Sequence, residues 1–430
     1  MNDLSILKLN HSDIFGGAAR AAYRIQGALQ AAGVDVRMQV VKKHSDDWVV
    51  SSRPGILPRI RGIAGGAVGE LTSRLLGPKD STLRSPAILP SGIVRSINRS
   101  SVDIVHLHWI CGEMLSIEEL GRINKPVVWT IHDMWAFCGA EHYTSELRWQ
   151  NGYAKVPRQA GGSAIDWDRW VWQRKRRAWK APFHIVSPSH WLATCVRDST
   201  LMGEWPVTVI PNALDLETWQ PVDQRVARGL LKLPLEKKIV VFGAIGGGRD
   251  ERKGIDLLLQ ALNILDVGTD EIELVVFGQS QPKEPVKLKY KTHYLGHVHD
   301  DLTLRCIYSA GDAMVIPSRQ ENLPNTGLES MACGTPVVAF NIGGLPDIVC
   351  HQRNGWLAKP FDVDDLARGI KWVIEDEARS NVLRMAAEEK AKEYSYSNIA
   401  QRYGALYRSI LNQGTRESST LQGDLMAPAS

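Results

Sequence analysis

Apolar residues along the chain fall into short buried runs separated by longer amphipathic stretches. ILKLNHS (6–12), VDVRMQVV (34–41), VDIVHLHW (102–109), PVVWTIHD (126–133), HIVSPS (184–189) and VTVIPNA (207–213) predict strands. GGAARAAYRIQGALQAAG, after the first run, predicts a helix that closes on a glycine, and IEELGRI predicts a shorter one. After a break at 214–235 a second series begins. KIVVFGAI, IELVVFGQS, THYLGHV, DAMVIPS and PVVAFN read as strands, and GIDLLLQALNIL reads as a helix. Strands alternating with helices predict parallel α/β sheets. The 430 residues suit two such domains of roughly 200 residues each. We expect them at 1–215 and 216–393, with a helix at 394–412 returning to the first domain.

Two stretches depart from the alternation. Residues 50–90 are rich in Gly, Pro, Arg and Ser and read as an excursion. Residues 413–430 are polar and read as a disordered tail. No 20–50-residue repeat is found.

Composition narrows the class. The six cysteines are scattered with no CxxC pair, which argues against a zinc ribbon or disulfide framework and fits a reducing cytoplasm. The first residues lack the basic and apolar regions of a secretory signal, and no apolar run is long enough for a membrane span. Charge is uneven. Residues 1–215 hold 26 Lys+Arg against 19 Asp+Glu, and the remainder holds 25 against 28. The halves are therefore expected to meet different partners.

Ligands of such sheets sit at strand C-terminal ends, and the candidate chemistry falls there. In DAMVIPSRQENLPNTGLESMACGTPVVAF a strand ends near Ser318, Glu321 follows in a loop, and a helix starts near Asn325 or Thr326. Backbone N–H groups at that helix start suit phosphate oxygens. Glu329 lies one turn further, within reach of a ribose diol at the helix mouth. In FGAIGGGRDERKGIDLLL a glycine-rich loop carries Arg249, Arg252 and Lys253, which suit a diphosphate. No Walker spacing occurs there, and no GxGxxG follows the first strand, which argues against a nicotinamide dehydrogenase. His132 ends a buried strand beside Asp133, a candidate orienter of its ring. Gly16 and Gly17 follow the first strand. His106 and His108 share one strand face, as packed histidines or as a metal pair. Asp166/Asp168 and Asp362/Asp364 form DxD patterns, read as a helix approach and a helix cap. In DWDRWVWQRKRRAWKAP (166–182), Trp interleaved with Arg and Lys fits either an anionic membrane surface or a helix with its Trp face turned inward. No nucleic-acid motif appears.

The E-x7-E spacing of Glu321 and Glu329 inside ENLPNTGLESMACGTPVV, followed by GGLPDIV and NGWLAKPFDVDDLARGI, resembles the signature of family 4 glycosyltransferases. FGGAARAAYRIQGAL, VVWTIHDMW, SPSHWLA, VIPNALD and RKGIDLLLQAL extend the resemblance over almost the whole chain. An HDMW…HYT stretch is similar to that of transferases of bacterial O-antigen and exopolysaccharide synthesis. The resemblance implies the GT-B fold, two Rossmann-like doubly wound domains facing a cleft. It implies a retaining transferase that uses a nucleoside-diphosphate sugar, a saccharide or lipid-linked acceptor, and no metal or cofactor.

The resemblance also implies roles for particular residues. Glu321 holds the transferred sugar and Glu329 the ribose. Asn322, Leu323, Pro324, Asn325, Thr326, Gly16 and Gly17 line the donor. Lys253 clamps the diphosphate, and His132 lies beside the sugar. Asp133 and His108 fall on the acceptor side. The usual clamp Arg is replaced by Ala244, so Arg249, then Arg252, is expected to substitute. A cytoplasmic protein, peripheral at the inner membrane face, is expected. An epimerase or phosphorylase of the same fold and a non-catalytic assembly scaffold are the competing readings.

Overall fold

The computed structural model describes residues 4–52, 83–155, 166–243, 250–281 and 288–425. These fall into two compact units. The first comprises the described residues up to Pro188, Leu192–Pro211 and those from Tyr396 onward; the second comprises Ser189–Trp191 and Asn212–Ser395.

In the first unit seven described strands form one parallel sheet: β1 (Ser5–Ser12), β2 (Asp35–Lys42), β3 (Val50–Ser52), β4 (Ile104–Leu107), β5 (Val127–Thr130), β6 (His184–Ser187) and β7 (Val207–Val209). Their order is β3-β2-β1-β4-β5-β6-β7. Leu9 of β1 pairs with Leu107 of β4, and Leu107 pairs with Trp129 of β5. All four residues of β4 and of β5 are buried, as helices on both faces of a parallel sheet require. The order reverses at β1/β4, which brings the ends of β1, β4 and β5 together.

The helix Gly17–Ala31 packs against the terminal helix Tyr396–Leu425. Tyr403 and Tyr407 of that helix are buried in the first unit. Tyr403 Oη lies 2.9 Å from Thr130 Oγ1, and Tyr407 Oη lies 2.7 Å from His106 Nδ1. The helix runs past the Gln413 boundary expected for a tail. No proline interrupts it before Pro428, so the polar sequence continues a helix already nucleated by its buried turns.

The second unit has six described strands: β8 (Lys238–Gly243), β9 (Ile272–Phe277), β10 (Lys291–Tyr294), β11 (Ala313–Ile316), β12 (Val337–Phe340) and β13 (Gly355–Ala358), in the order β10-β9-β8-β11-β12-β13. Alternate residues feed two apolar layers. Val241, Val275, Met314 and Ala339 face one side; Val240, Leu274, Val315 and Val338 face the other. This order reverses at β8/β11, so the loops after those strands converge.

Strands β3 and β13, each at one edge of its sheet, escaped the sequence reading. The 50–90 excursion begins with β3; residues 53–82 lie outside the described residues. The chain returns at Leu83 and is tied to the segment after β5, with Ser85 N–H donating to Ala140 O at 2.8 Å and His142 N–H to Leu83 O at 3.1 Å. The break at 214–235 holds a helix, Gln224–Leu230, capped by Asp223.

Candidate functional site

In the second unit the sequence candidates gather at the ends of β8 and β11. Lys253 ends a 3₁₀ turn, Glu251–Lys253, and Gly254 follows with φ 63°. A Cβ on Gly254 would lie 2.0 Å from Pro317 O, so only glycine lets this turn press against the end of β11. Lys253 Nζ thereby reaches Glu321 Oε2 at 2.7 Å, and Ser318 Oγ donates to the same oxygen at 3.2 Å. The loop carrying Glu321 is backed by Gly344, whose N–H donates to Glu321 O at 3.1 Å. A Cβ at Gly344 would meet Asn322 O at 1.7 Å, which accounts for the glycine in GGLPDIV.

The helix Asn325–Ala332 starts after Pro324, and its backbone bonds begin with Gly327 N–H to Pro324 O at 3.1 Å. The N–H groups of Asn325 and Thr326 thus precede the helical ladder. Asn212 braces this start, donating from Nδ2 to Leu323 O at 3.2 Å and to Asn325 Oδ1 at 3.0 Å. Glu329 points into the interior and is only 2% exposed; Tyr308 Oη donates to its Oε2 at 2.7 Å. Tyr308, from the helix Asp301–Ala310, was not foreseen, because no sequence spacing links it to Glu329.

Of the two arginines expected at the clamp, Arg252 is among the described residues. Arg252 lies 2.7 Å from the Asp250 carboxylate, so its charge is shared with an acid two residues away. Arg319 forms a two-armed pair with Asp256, at 2.6 and 2.5 Å. Ala244, Gly246, Gly247, Gly248 and Arg249 lie outside the described residues.

In the first unit, Gly16 and Gly17 stand after β1 at the start of the first helix. His108 follows β4 and His132 follows β5; His108 Nδ1 and His132 Nε2 share a hydrogen bond at 3.1 Å. His106, two residues earlier, is fully buried and bonded to Thr130 Oγ1 at 2.8 Å, so it is a packed strand histidine. The hydrogen bonds of Asp133 go to groups other than the His132 ring. Asp133 Oδ2 accepts from His142 Nδ1 at 2.6 Å and from Trp109 Nε1 at 3.1 Å, and its Oδ1 accepts from Trp135 N–H at 2.9 Å. His142 Nε2 lies 2.8 Å from Ser85 Oγ. The EHYT segment supplies the histidine that bonds Asp133, while the His132 ring feels its charge. The quoted HYT stretch was the available signal for His142; Trp109 and Ser85 had none.

Protonation follows burial. Burial lowers His132 to about 4, with Asp133 opposing and Lys8 assisting. Burial also lowers His11 to about 4, aided by Lys42. For Asp133 burial acts upward, but the charge and hydrogen bond of His142, then the Trp135 N–H, outweigh it and hold the carboxyl below its ordinary range.

The basic helix Trp167–Ala178 turns much of its aromatic and cationic material inward. Trp172 and Trp179 are buried. Lys175 is buried too. Its ammonium donates to the carbonyls of Trp135, Cys138 and Gly139, lies 3.8 Å from the Trp135 ring centroid, and is pushed by burial down to about 8. Arg174 is pinned on Glu118 at 2.6 Å. Trp170, Arg176, Arg177 and Lys180 remain exposed. Asp166 and Asp362 each cap a helix, and among the described residues no group of three or more His, Cys, Asp or Glu is placed to hold a metal.

Comparison with known proteins adds the following. The family described as Glycosyltransferase Family 4 matches residues 15–218, and Glycosyl transferases group 1 matches residues 236–376. The D-inositol 3-phosphate glycosyltransferase 1 of Catenulispora acidiphila is 28% identical over 337 residues, covering 73% of this chain and 73% of that protein. Sucrose-phosphate synthase from Thermosynechococcus elongatus has a similar fold, with a TM-score of 0.65 at 19% identity over 95% of this chain and all of that one. HepE of Anabaena, solved with UDP-glucose, has a TM-score of 0.64 at 17% identity over 94% of this chain and 100% of its own.

Proposed function

The chain belongs to the family 4 glycosyltransferases, which have the GT-B fold, and on that premise we propose that it transfers a sugar from a nucleoside-diphosphate sugar to a saccharide or lipid-linked saccharide, with retention of configuration, in bacterial surface-polysaccharide synthesis. The observation that carries this reading is the Lys253–Glu321 contact beside the start of the Asn325 helix, at the strand switch of the second unit. A cation and helix-start N–H groups suit the diphosphate of such a donor, and a carboxylate suits its sugar.

In this reading Lys253 and the N–H groups at 325–326 meet the diphosphate, with Arg249 assisting. Glu321 accepts from hydroxyls of the transferred sugar, and Glu329, aligned by Tyr308, accepts from the ribose. The bond between the anomeric carbon and the phosphate oxygen breaks, and both its electrons go to the diphosphate. The acceptor oxygen bonds to the same face of that carbon, and its proton passes to the departing phosphate. Positioning and neutralisation of the leaving group supply the catalysis, without a metal. Glu321 and Glu329 are hydroxyl anchors, unlike the acid–base pair of a hydrolase. Trp170, Arg176, Arg177 and Lys180 form the face that meets an anionic membrane from the cytoplasmic side.

The test is a thermal-shift panel of UDP-, GDP- and dTDP-sugars, then product analysis with the stabilising donor. A new glycosidic bond with the donor's anomeric configuration, formed equally well with chelator, is expected. Isomerised donor or a free sugar phosphate as sole product would overturn transfer. An inositol phosphate acceptor is the second reading, favoured by the Catenulispora acidiphila relative.

A further inference from the structure

Resting on the transferase reading above, we propose that the first unit binds an uncharged saccharide through the Asp133 carboxylate and the Trp109 ring, and that His142 is the positioning residue for Asp133. The two groups rise together because β4 and β5 are neighbours: Trp109 follows one strand by two residues and Asp133 follows the other by three. Both are partly exposed, unlike the strand residues below them.

Asp133 is held from three directions, by His142, Trp109 and Trp135 N–H. His142 is itself fixed, with Ser85 on its other nitrogen and the Trp109 ring at 5.5 Å between centroids. An ionised carboxylate offers about four lone-pair sites and donates nothing. Three are used inside the protein, which leaves one for a ligand donor such as a sugar hydroxyl. The Trp109 face and the His11 ring, 5.5 Å away and edge-on, supply apolar surface suited to a pyranose.

Charge then selects the ligand. His132, whose ring feels the Asp133 charge, and His11, whose ring meets Trp109, are neutral at pH 7 because burial lowers both. A phosphate seated here would face the Asp133 carboxylate, and like charges brought together in this way exclude a partner. A hydroxyl meets no such penalty. The competing arrangement is a phosphate held by Lys42, the cation whose field reaches His11.

The experiment uses the full chain with whichever sugar nucleotide stabilises it most. Methyl glycosides of glucose, galactose, mannose and N-acetylglucosamine are compared with glucose 6-phosphate as acceptors. Transfer to a glycoside at least 10-fold better than to the phosphate is expected. Asp133→Asn should raise the glycoside KM by about 10- to 100-fold, the loss of a charge-assisted hydrogen bond, and narrow the discrimination against the phosphate, with donor affinity unchanged. His142→Ala should copy this loss, and His142→Asn, which keeps a donor toward Asp133, should restore most of it. A structural role alone would not alter discrimination between charged and uncharged acceptors. Preference of the wild type for glucose 6-phosphate, transfer to no glycoside with donor bound, or unaltered discrimination in Asp133→Asn overturns this subsite. Failure of every sugar nucleotide to bind strikes the donor reading instead.

Discussion

Lys253 Nζ and Glu321 Oε2 stand 2.7 Å apart although 68 residues separate them in the chain. The pair joins a cation proposed for the diphosphate to a carboxylate proposed for the sugar, so each holds the other in place before a ligand arrives. Partial exposure keeps the pair's own contribution to stability small, below about 1 kcal/mol. Glu321→Ala and Lys253→Ala should therefore shift Tm little. Glu321→Ala should cost about 100-fold or more in turnover, as removal of a positioned transition-state contact does. Lys253→Ala should act mainly through donor affinity. Calorimetric titration with the stabilising sugar nucleotide separates the two; near wild-type transfer in both variants would remove the pair from the site.

Glu329 and Tyr308 form the buried counterpart. Removing the phenol leaves a buried carboxylate one hydrogen bond short, which costs about 1–3 kcal/mol. Tyr308→Phe should lower the unfolding free energy read from urea titration by that amount and weaken donor binding several-fold, because Glu329 loses its aligned rotamer. Unchanged donor affinity at reduced stability would confine Tyr308 to a folding role.

Acid should unfold the protein through its histidines. His132 and His11 fall to about 4 in the folded chain against an ordinary 6.5. Between these values the unfolded chain binds protons that the folded chain does not. Stability therefore falls as pH drops from about 6.5 to about 4, by on the order of 3 kcal/mol per ring, and these rings contribute no further slope outside that window. His106 and His108 shift in the same direction. His132→Asn should flatten the dependence of Tm on pH between 7 and 4.5. An equal slope in wild type and variant would show that His132 titrates normally.

The basic helix makes a divided prediction. Neutralising Arg176, Arg177 and Lys180 to Gln should reduce flotation with phosphatidylglycerol vesicles about 100-fold at unchanged Tm, at about 1 kcal/mol per charge. Lys175→Met should lower the unfolding free energy by about 3 kcal/mol or more, since three carbonyls lose their shared donor. Flotation indifferent to the three exposed charges would end the membrane proposal.

Much of this was legible in one dimension. Apolar periodicity located eleven of the thirteen described strands, because a buried parallel strand must be apolar along its length. The Glu321–Glu329 spacing was readable because one loop and one helix carry both residues. Strands β3 and β13 were not: two of the three residues of Val50–Ser52 are exposed serines, and Gly355–Ala358 opens on a glycine that weakens a strand pattern.

Tertiary structure alone decided the partners. Residues from separate crossovers meet only when parallel strands align their ends, so nothing in the local sequence marks Lys253 for Glu321 or Tyr308 for Glu329. The same alignment joined Asp133 to His142. It also sorted the 166–182 charges into buried and exposed, because each helix side faces a different environment at a spacing of about 3.6 residues. Chain order determined which elements exist and where a ligand cleft belongs; the approach of distant loops determined which side chains share a proton, a charge or a ligand.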